Sequence, residues 1–337
     1  STTTHEKRLW AISYGRTETP FMKKILITGG AGFIGSCLAD KLMQNPNYKV
    51  VMVDNMLTGH KARLQESNED SNWRFIHADC NNYTDISAVM MAYRFDYVFH
   101  YAAVVGVKRT LDHPKLVLDD IQGIRNILDI AKSTNVKRVF FASSSEVYGE
   151  PHEHPQNEHT TPLNSRLPYA VVKNVGEAFL RSYKKEFDLD YTIFRFFNTY
   201  GPKQSIDFVM SKFILSALKN EDLTVYGDGL QTRTFCYFQD NIDACVNAFE
   251  QNKYVNDTVN IGSDYELTIL DLAKTIIKVT SSSSKIVHLP ALKEGDMLRR
   301  KPDIGKMRHL LNRDLTSIET GIERILEEGL ALYNPNA

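Results

Sequence analysis

The chain has 337 residues, 42% of them hydrophobic, which provides material for a large core and indicates two structural lobes. Its 40 basic and 41 acidic residues nearly cancel, which argues against nucleic acid or an anionic membrane as partner. Four cysteines without CxxC spacing and the lack of an 18-residue apolar run predict no metal site, disulfide framework or membrane span, and favour the cytoplasm.

The first 21 residues are polar and irregular, and Met22 directly precedes the first apolar run. We therefore expect an N-terminal extension over residues 1–21 that takes no part in the fold. An interaction arm is the alternative for this segment.

From Met22 onward, short apolar runs alternate with amphipathic segments, a pattern that predicts parallel strands joined by helices. The expected fold is α/β, a doubly wound parallel sheet of the Rossmann type over residues 22–200, with a return segment near 234–262. A smaller lobe over the edge of that sheet is expected mainly over residues 201–337. The predicted strands are KILIT, KVVMVD, RFIHAD, DYVFHYAA, RVFFASSS and YTIFRFFNTYG, and the helical segments are Phe33–Gln44, Ile86–Tyr93, Leu116–Ser133 and Tyr169–Phe187.

A glycine-rich turn, TGGAGFIG, follows the first strand and opens the first helical segment. Gly29 allows the tight turn, Gly32 lets the backbone approach a pyrophosphate, and Gly35 allows close packing. Phe33 and Ile34 lie at the helix N-terminus, where free N–H groups and the positive end of the helix dipole attract anions. The turn therefore predicts a dinucleotide site.

Asp54 ends the second strand, where its carboxylate can accept hydrogen bonds from both ribose hydroxyls and would repel a 2′-phosphate. NAD is therefore favoured over NADP. We also assign Asn55 and Ala102 to the cofactor site. Asp79 follows the third strand and is placed to contact the adenine, although a turn-forming aspartate explains this position nearly as well.

Tyr169 and Lys173 form a YxxxK pair whose spacing puts both side chains on one face of a helix. A free tyrosine has a pKa of about 10, so a nearby ammonium and a positive nicotinamide ring are needed to stabilise its phenolate. Ser144 lies upstream at the end of a strand, where its hydroxyl can share the substrate's hydrogen bond. Together the three residue types indicate oxidation of an alcohol.

The motifs TGGAGFIG, HYAA, SSSEVYG, YAVVK, RFFNTYGP and YGDGLQTR occur in an order that resembles the extended short-chain dehydrogenase/reductase superfamily. The resemblance extends from Met22 nearly to the C-terminus. It implies NAD as cofactor, a nucleotide sugar as substrate and oxidation at sugar carbon 4. The side chains it assigns are Ser144, Tyr169 and Lys173 for catalysis, with Lys173 also contacting NAD, Asn198 for the diphosphate, and Arg233 and Arg299 to clamp it.

Glu146 bears on the choice of reaction. The stretches SSSEVYGEPHEHPQ, QTRTFCYFQD and RRKPDI look most like UDP-glucuronate decarboxylases, which form UDP-xylose. In that family an acid at the Glu146 position and an arginine at the Arg300 position handle the carboxylate and the returning proton. The alternatives are a helix cap or ion-pair partner for Glu146, and a diphosphate ligand or exposed side chain for Arg300.

Other reactions remain open at this stage. YAVVK and HYAAVVGVKRTLDHP look more like 4-epimerases, and the segment GPKQSIDFVMSKF is shorter than its counterpart in the decarboxylases. A sugar 4,6-dehydratase is a further alternative. A catalytically silent NAD-binding regulator belongs to a different class, but it has no chemical need for Ser144, Tyr169 and Lys173 together. In the superfamily the helices corresponding to Leu116–Ser133 and Tyr169–Phe187 commonly pair across a two-fold axis, so a homodimer is expected.

Overall fold

A computed structural model describes residues 22–150, 152–292 and 300–329. The extension predicted over residues 1–21 and the substrate candidate Arg299 lie outside these ranges. None of the helices in the described ranges combines the length and the apolar character that crossing a bilayer requires.

Strands and helices alternate along the first two thirds of the chain, as their apolar runs predict. The strands are β1 Lys23–Thr28, β2 Tyr48–Asp54, β3 Trp73–His77, β4 Tyr97–His100, β5 Arg138–Ser144, β6 Asp190–Phe196, β7 Thr199–Tyr200, β8 Leu223–Tyr226, β9 Thr232–Thr234, β10 Cys236–Tyr237, β11 Asp257–Ile261, β12 Glu266–Thr268 and β13 Ile286–Leu289. The helices are α1 Phe33–Leu42, α2 Tyr83–Tyr93, α3 Val107–Asp112, α4 Pro114–Leu118, α5 Asp120–Ser133, α6 Pro168–Phe187, α7 Val209–Leu218, α8 Phe238–Glu250, α9 Ile269–Val279, α10 Gly305–Leu311 and α11 Ile318–Glu328.

The central sheet has seven strands in the order β11-β6-β5-β4-β1-β2-β3, and all of its neighbours pair in parallel. Helices cover both faces, so the inner strands are apolar nearly throughout; all seven residues of β5 are buried. This confirms the predicted doubly wound fold. The order reverses between β1 and β4, and ligands of such sheets bind in the crevice at the carboxyl ends of the strands beside that point.

Separate apolar cores occupy the two faces of the sheet. One packs α1, α8 and α10 against it, and the other packs α2, α5 and α6. A third core, built from α7, α9, α11 and strand β8, forms a second lobe. Because β7 and β10 pair in parallel beyond the end of β6, the chain passes into this lobe and returns through α8 and β11.

Two predicted elements are each divided into two in the structure. The segment Leu116–Ser133 falls in two helices that meet at Asp119, which is the C-cap of α4 and the N-cap of α5. The run YTIFRFFNTYG forms two strands, because β6 pairs with β5 and β11 whereas β7 leaves the sheet to pair with β10.

A buried ion pair joins α6 to the sheet. Glu177 Oε1 accepts a hydrogen bond from Arg195 Nη2 at 2.7 Å, and their side chains are 0% and 2% exposed. Glu177 Oε2 also accepts hydrogen bonds from Ser143 Oγ at 2.6 Å and Arg195 Nε at 3.1 Å. Removing one partner of such a pair typically costs about 3–5 kcal/mol. The pair therefore fixes the position of α6 relative to β5 and β6.

Candidate active site

The glycine turn lies at the carboxyl end of β1, beside the reversal of strand order. Gly29 has a φ of +66°, and a Cβ on Gly35 would lie 2.2 Å from the Gly29 oxygen, so both positions require glycine. A Cβ on Gly32 would meet only that same oxygen, at 3.1 Å. The protein itself therefore leaves the face of Gly32 open, as the close approach of a pyrophosphate requires.

Helix α1 begins directly after this turn. Gly32 occupies its N-cap and supplies no side-chain hydrogen bond to the first turn, which contains Phe33 and Ile34. The helix N-terminus has no acidic residue in its first turn. Its N–H groups and dipole therefore favour an anion at this position, and the arrangement fits the diphosphate of a dinucleotide.

Asp54, at the end of β2, is nearly buried beside the glycine turn. Its Oδ2 accepts a hydrogen bond from Ala31 N at 3.0 Å, and its Oδ1 accepts one from Met56 N at 2.8 Å. Each carboxylate oxygen has a second lone pair, so the residue can still accept from a ribose hydroxyl. The adjacent Asn55 accepts a hydrogen bond from Leu57 N through its side chain. The cofactor expectation for Asp54 is compatible with these contacts.

Asp79 and Ala102 lie in the loops that follow β3 and β4. Asp79 Oδ1 accepts a hydrogen bond from Asn81 N at 2.9 Å, which is the turn contact that the sequence offered as its alternative role. Ala102 N donates to Thr28 Oγ1 at 3.1 Å. A Cβ on Gly29 would lie 2.8 Å from Ala102 N, so the β4 loop contacts the glycine turn directly.

Ser144, Tyr169 and Lys173 come together at the carboxyl end of β5. The Ser144 side chain is close enough to lower the pKa of Tyr169, and Lys173 Nζ lies 5.5 Å from the centroid of the Tyr169 ring. Lys173 is buried, and its Nζ donates to the Ala142 carbonyl at 2.8 Å. Ser144 Oγ also accepts a hydrogen bond from Glu146 N at 3.1 Å, which holds the hydroxyl in place.

Burial determines the acidity of both residues of the YxxxK pair. It raises the pKa of Tyr169 to about 12, with a smaller contribution from the negative charge of Glu146, against the hydrogen bond from Ser144. It lowers the pKa of Lys173 to about 8, against the charge of Asp120. Burial and the nearby charges of the protein together therefore disfavour the tyrosine phenolate at neutral pH. A positive nicotinamide ring is needed to favour the phenolate.

Glu146 and Arg300 form a bidentate ion pair beside these residues. Arg300 Nη1 donates to Glu146 Oε1 at 2.8 Å and Nη2 donates to Oε2 at 3.1 Å. The Arg300 side chain is 12% exposed, which excludes the expectation of an exposed arginine, whereas Glu146 does have the ion-pair contact offered as its alternative. Because Glu146 acts on the pKa of Tyr169, this pair belongs to the same site.

Gln156 tethers the segment that carries Arg300. Gln156 N donates to the Lys301 carbonyl at 2.8 Å, and Lys301 N donates to Gln156 Oε1 at 2.9 Å. Gln156 also pairs with Pro302 in a parallel bridge. Arg300 is thus presented from a loop that is fixed to the chain just beyond Glu146.

Asn198 and Arg233, the expected diphosphate ligands, come later in the sequence than Ser144, Tyr169 and Lys173. Asn198 follows β6, and its carbonyl accepts a hydrogen bond from Cys236 N at 2.7 Å. Arg233 lies on β9, half-buried, and its Nη1 donates to the Thr232 carbonyl at 2.8 Å. The assignment of Asn198 and Arg233 to the diphosphate remains a prediction.

The sequence reasoning missed three features of the site: Asp120, Gln156 and the Glu177–Arg195 pair. Glu177 lies four residues beyond Lys173, so helical spacing placed it on the same face. Nothing in the sequence distinguishes Asp120 from Asp119, because both are acidic and both lie at a helix start. Gln156 lay within a stretch used for the resemblance and carried no signal of its own.

Residues 25–262 match the profile of the NAD dependent epimerase/dehydratase family. UDP-glucuronic acid decarboxylase 1 of Danio rerio is 36% identical over 313 residues, which are 90% of this chain and 72% of that protein. The structure of UDP-glucose 4-epimerase from Thermotoga maritima with UDP-glucose has a TM-score of 0.83 and 30% identity, covering 90% of this chain and 97% of that one. UDP-glucuronic acid 4-epimerase from Bacillus cereus, in complex with NAD, has a TM-score of 0.77 and 31% identity, covering 89% and 94%.

Replacing Tyr169 by Phe removes one oxygen from the centre of the site. We expect kcat to fall by about 10²–10⁴-fold, the usual contribution of a positioned acid or base. The dissociation constant for NAD, measured by calorimetry, should stay within about threefold of wild type, because the phenol is not needed to bind the dinucleotide. Tyr183→Phe, on the same helix, is the control, and unchanged kcat in Tyr169→Phe would contradict the assignment.

Proposed function

The chain belongs to the NAD dependent epimerase/dehydratase family, and we propose that it decarboxylates UDP-glucuronate to UDP-xylose through a 4-keto sugar. The observation that carries this proposal is the Glu146–Arg300 ion pair beside Tyr169. A guanidinium in a fixed fork geometry binds carboxylates in two-point contacts, so Arg300 suits a sugar acid. The decarboxylase similarity over 90% of this chain supports the same substrate class.

The glycine turn and Asp54 form the proposed NAD site. In this assignment Gly29, Gly32 and Gly35 let the backbone approach the diphosphate, and the α1 N-terminus binds it. Asp54 accepts from the ribose, and its hydrogen bond from Ala31 N keeps the turn and the carboxylate in register. Bound NAD would supply the hydride acceptor for carbon 4 and the hydride donor for the later reduction.

Oxidation at carbon 4 requires a base on the sugar hydroxyl. We assign this role to Tyr169, whose phenolate takes the hydroxyl proton, while Ser144 Oγ donates a hydrogen bond to the same sugar oxygen. The Lys173 ammonium stabilises the phenolate from the buried side of α6, where the Ala142 carbonyl holds it in place. The three side chains then act on one oxygen atom of the substrate.

Loss of CO₂ follows from the chemistry of the oxidised sugar. A ketone at carbon 4 lies β to the carboxylate on carbon 5, so the electrons of the breaking bond pass to the ketone oxygen. Arg300 orients the carboxylate in this proposal, and Tyr169 and Ser144 donate to the developing oxyanion. In this proposal Glu146 transfers the proton that returns to carbon 5, since its carboxyl group pairs with Arg300 and its charge acts on Tyr169.

A 4-epimerase of a sugar acid is the second candidate. The solved UDP-glucuronic acid 4-epimerase at 31% identity shows that a related fold acts on the same carboxylate-bearing sugar without removing the carboxylate. Both candidates share NAD, oxidation at carbon 4 and the roles of Ser144, Tyr169 and Lys173. They differ in whether a carbon is lost.

We also propose that the enzyme is a homodimer that pairs through α5 and α6. Ile124, Leu128 and Val172 are buried within the subunit. Val175 and Phe179, one turn apart on α6, remain only partly covered. An apolar stripe of this kind suits a two-fold helical interface.

Val175→Arg should break that interface, because it places a charge among apolar side chains of α6. Sedimentation equilibrium should show a dimer for wild type and a monomer for the variant. Lys274→Glu, an exposed charge change on α9, should stay dimeric. A wild-type protein that sediments as a monomer at all concentrations would refute the proposal.

The product formed from UDP-glucuronate separates the two candidate reactions. The purified enzyme is incubated with NAD and, separately, UDP-glucuronate, UDP-galactose and UDP-N-acetylglucosamine, and the products are identified by NMR. We expect CO₂ and UDP-xylose from the first substrate only. A six-carbon sugar acid inverted at carbon 4 would establish the epimerase instead, and unchanged NADH absorbance with every sugar would indicate a protein that only binds NAD.

Glu146→Gln keeps an oxygen for Arg300 but removes the charge and the exchangeable carboxyl proton. We expect CO₂ release to fall by about 100-fold or more, while hydride transfer remains measurable as NADH absorbance. Because the Glu146 charge raises the pKa of Tyr169, the acid limb of the hydride-transfer profile should also move to lower pH. Glu150→Gln, in the same loop, is the control. Normal CO₂ release from the Glu146 variant would remove the main support for decarboxylation.

A further inference from the structure

Asp120 is the first residue of α5 and lies where two loops of the cofactor crevice meet. Its Oδ2 accepts a hydrogen bond from Val104 N, in the loop after β4, at 2.8 Å. Its Oδ1 accepts one from Asn81 Nδ2, in the loop after β3, at 3.2 Å. A Cβ on Gly123 would lie 2.4 Å from Asn81 Oδ1, so α5 packs tightly on that loop. The carboxylate is therefore held at a fixed position.

Lys173 is a buried ammonium without an ion-pair contact. Its Nζ donates to the Ala142 carbonyl and otherwise lies near aromatic rings, 5.3 Å from the centroid of Phe141 and 5.5 Å from that of Tyr169. Among the residues the structure describes, no carboxylate oxygen comes within 4.0 Å of this nitrogen. Burial of a charge without compensation favours the neutral amine, so Lys173 needs a negative charge nearby.

The other charged groups around Lys173 do not provide that charge. Glu177 lies one turn further along α6, but Arg195 and Ser143 already hold its carboxylate. His100, on β4, is kept neutral because burial and the Lys173 charge lower its pKa to about 3.

Asp120 and Asp79 are the remaining carboxylates on this side of the site. Burial raises the pKa of Asp120, whereas the Val104 and Asn81 hydrogen bonds favour its ionised form. Helices α5 and α6 pack together just beyond Asp120 and Lys173, since a Cβ on Gly176 would lie 3.1 Å from Ile124 Cδ1. From this position the charge of Asp120 raises the pKa of Lys173. Asp79 does not contribute directly to Lys173, and its own oxygen is engaged by Asn81 N.

We propose that Asp120 is a positioning residue whose carboxylate, fixed by Val104 and Asn81, supplies the counter-charge that keeps the buried Lys173 ammonium protonated. The inference rests on the proposed function, since it assigns Lys173 a role beside Tyr169. It adds a residue on helix α5 to the residues proposed for hydride transfer. The loops after β3 and β4 are thereby coupled to the charge state of the catalytic lysine.

The direction of the expected effect follows from the two groups on which Asp120 acts. Its negative charge raises the pKa of Lys173 and also that of Tyr169. Activity needs the lysine protonated and the tyrosine ionised, so the lysine sets the basic limb of the pH profile and the tyrosine the acid limb. Removing the charge should therefore move both limbs to lower pH.

Asp120→Asn tests this directly, because the amide oxygen still accepts from Val104 N while the charge and the acceptor for Asn81 Nδ2 are removed. Lysine labelled with ¹³C at Cε is titrated by NMR in the NAD-bound enzyme, with the Lys173 signal identified from its absence in Lys173→Arg. We expect the pKa of Lys173 to fall by about half a pH unit or more, less than the change of about 1–3 for a contact pair. Asp119→Asn, the exposed neighbour, should leave it unchanged.

The pH dependence of kcat/KM with UDP-glucuronate gives a second readout, in which both limbs should move down in Asp120→Asn and stay in place in Asp119→Asn. An unchanged Lys173 titration in Asp120→Asn overturns the inference, as does a wild-type Lys173 that is neutral at pH 7. If the Asn variant does not fold, Asp120→Ser provides another neutral side chain. The NMR titration needs no turnover, so it still decides the inference if UDP-glucuronate is not a substrate.

Discussion

The buried ion pair between Glu177 and Arg195 is the constraint on which the geometry of the site depends. Tyr169, Lys173 and Glu177 follow one another at four-residue intervals, so one face of α6 contains the proposed base, its proposed ammonium partner and the anchor of the helix. Ser143, the neighbour of Ser144, donates to the same anchor. Rotation of α6 or slippage of β5 would leave a carboxylate and a guanidinium unpaired in the interior, which is far more costly than a small movement at the surface.

Hydrogen bonds connect the Glu177–Arg195 ion pair to the chain segment that contains Glu146. Arg195 Nη1 donates to Tyr148 Oη at 3.0 Å, and Tyr148 Oη donates to Asn260 Oδ1 at 2.7 Å. Asn260 Nδ2 in turn donates to the Gln156 carbonyl at 2.9 Å. A continuous set of polar contacts therefore runs from α6, through β6 and β11, to the loop that presents Arg300. Networks of this kind specify one arrangement because each member is costly to leave unpaired.

Patterns local in sequence predicted the sheet, the glycine turn and the Tyr169–Lys173 pair, because strand alternation, turn chemistry and helical spacing act over a few residues. Glu146 and Arg300 were assigned to one reaction only by resemblance, since 154 residues separate them and no local rule joins them. The upward shift of the Tyr169 pKa was not foreseen either. It depends on burial and on charges from Glu146 and Asp120, which only the folded chain brings together.

Gln156 holds the Arg300 segment through two backbone hydrogen bonds and a third that its side-chain oxygen accepts from Lys301 N. Ser144, Tyr169 and Lys173, by contrast, lie on β5 and α6. In the proposed function, hydride transfer and recognition of the sugar's carboxylate are thus assigned to separate stretches of polypeptide. Exchanging the stretch near residue 300 could redirect the fate of the oxidised intermediate without disturbing the oxidation itself. A scaffold with this division is well suited to evolve new products from an unchanged first step.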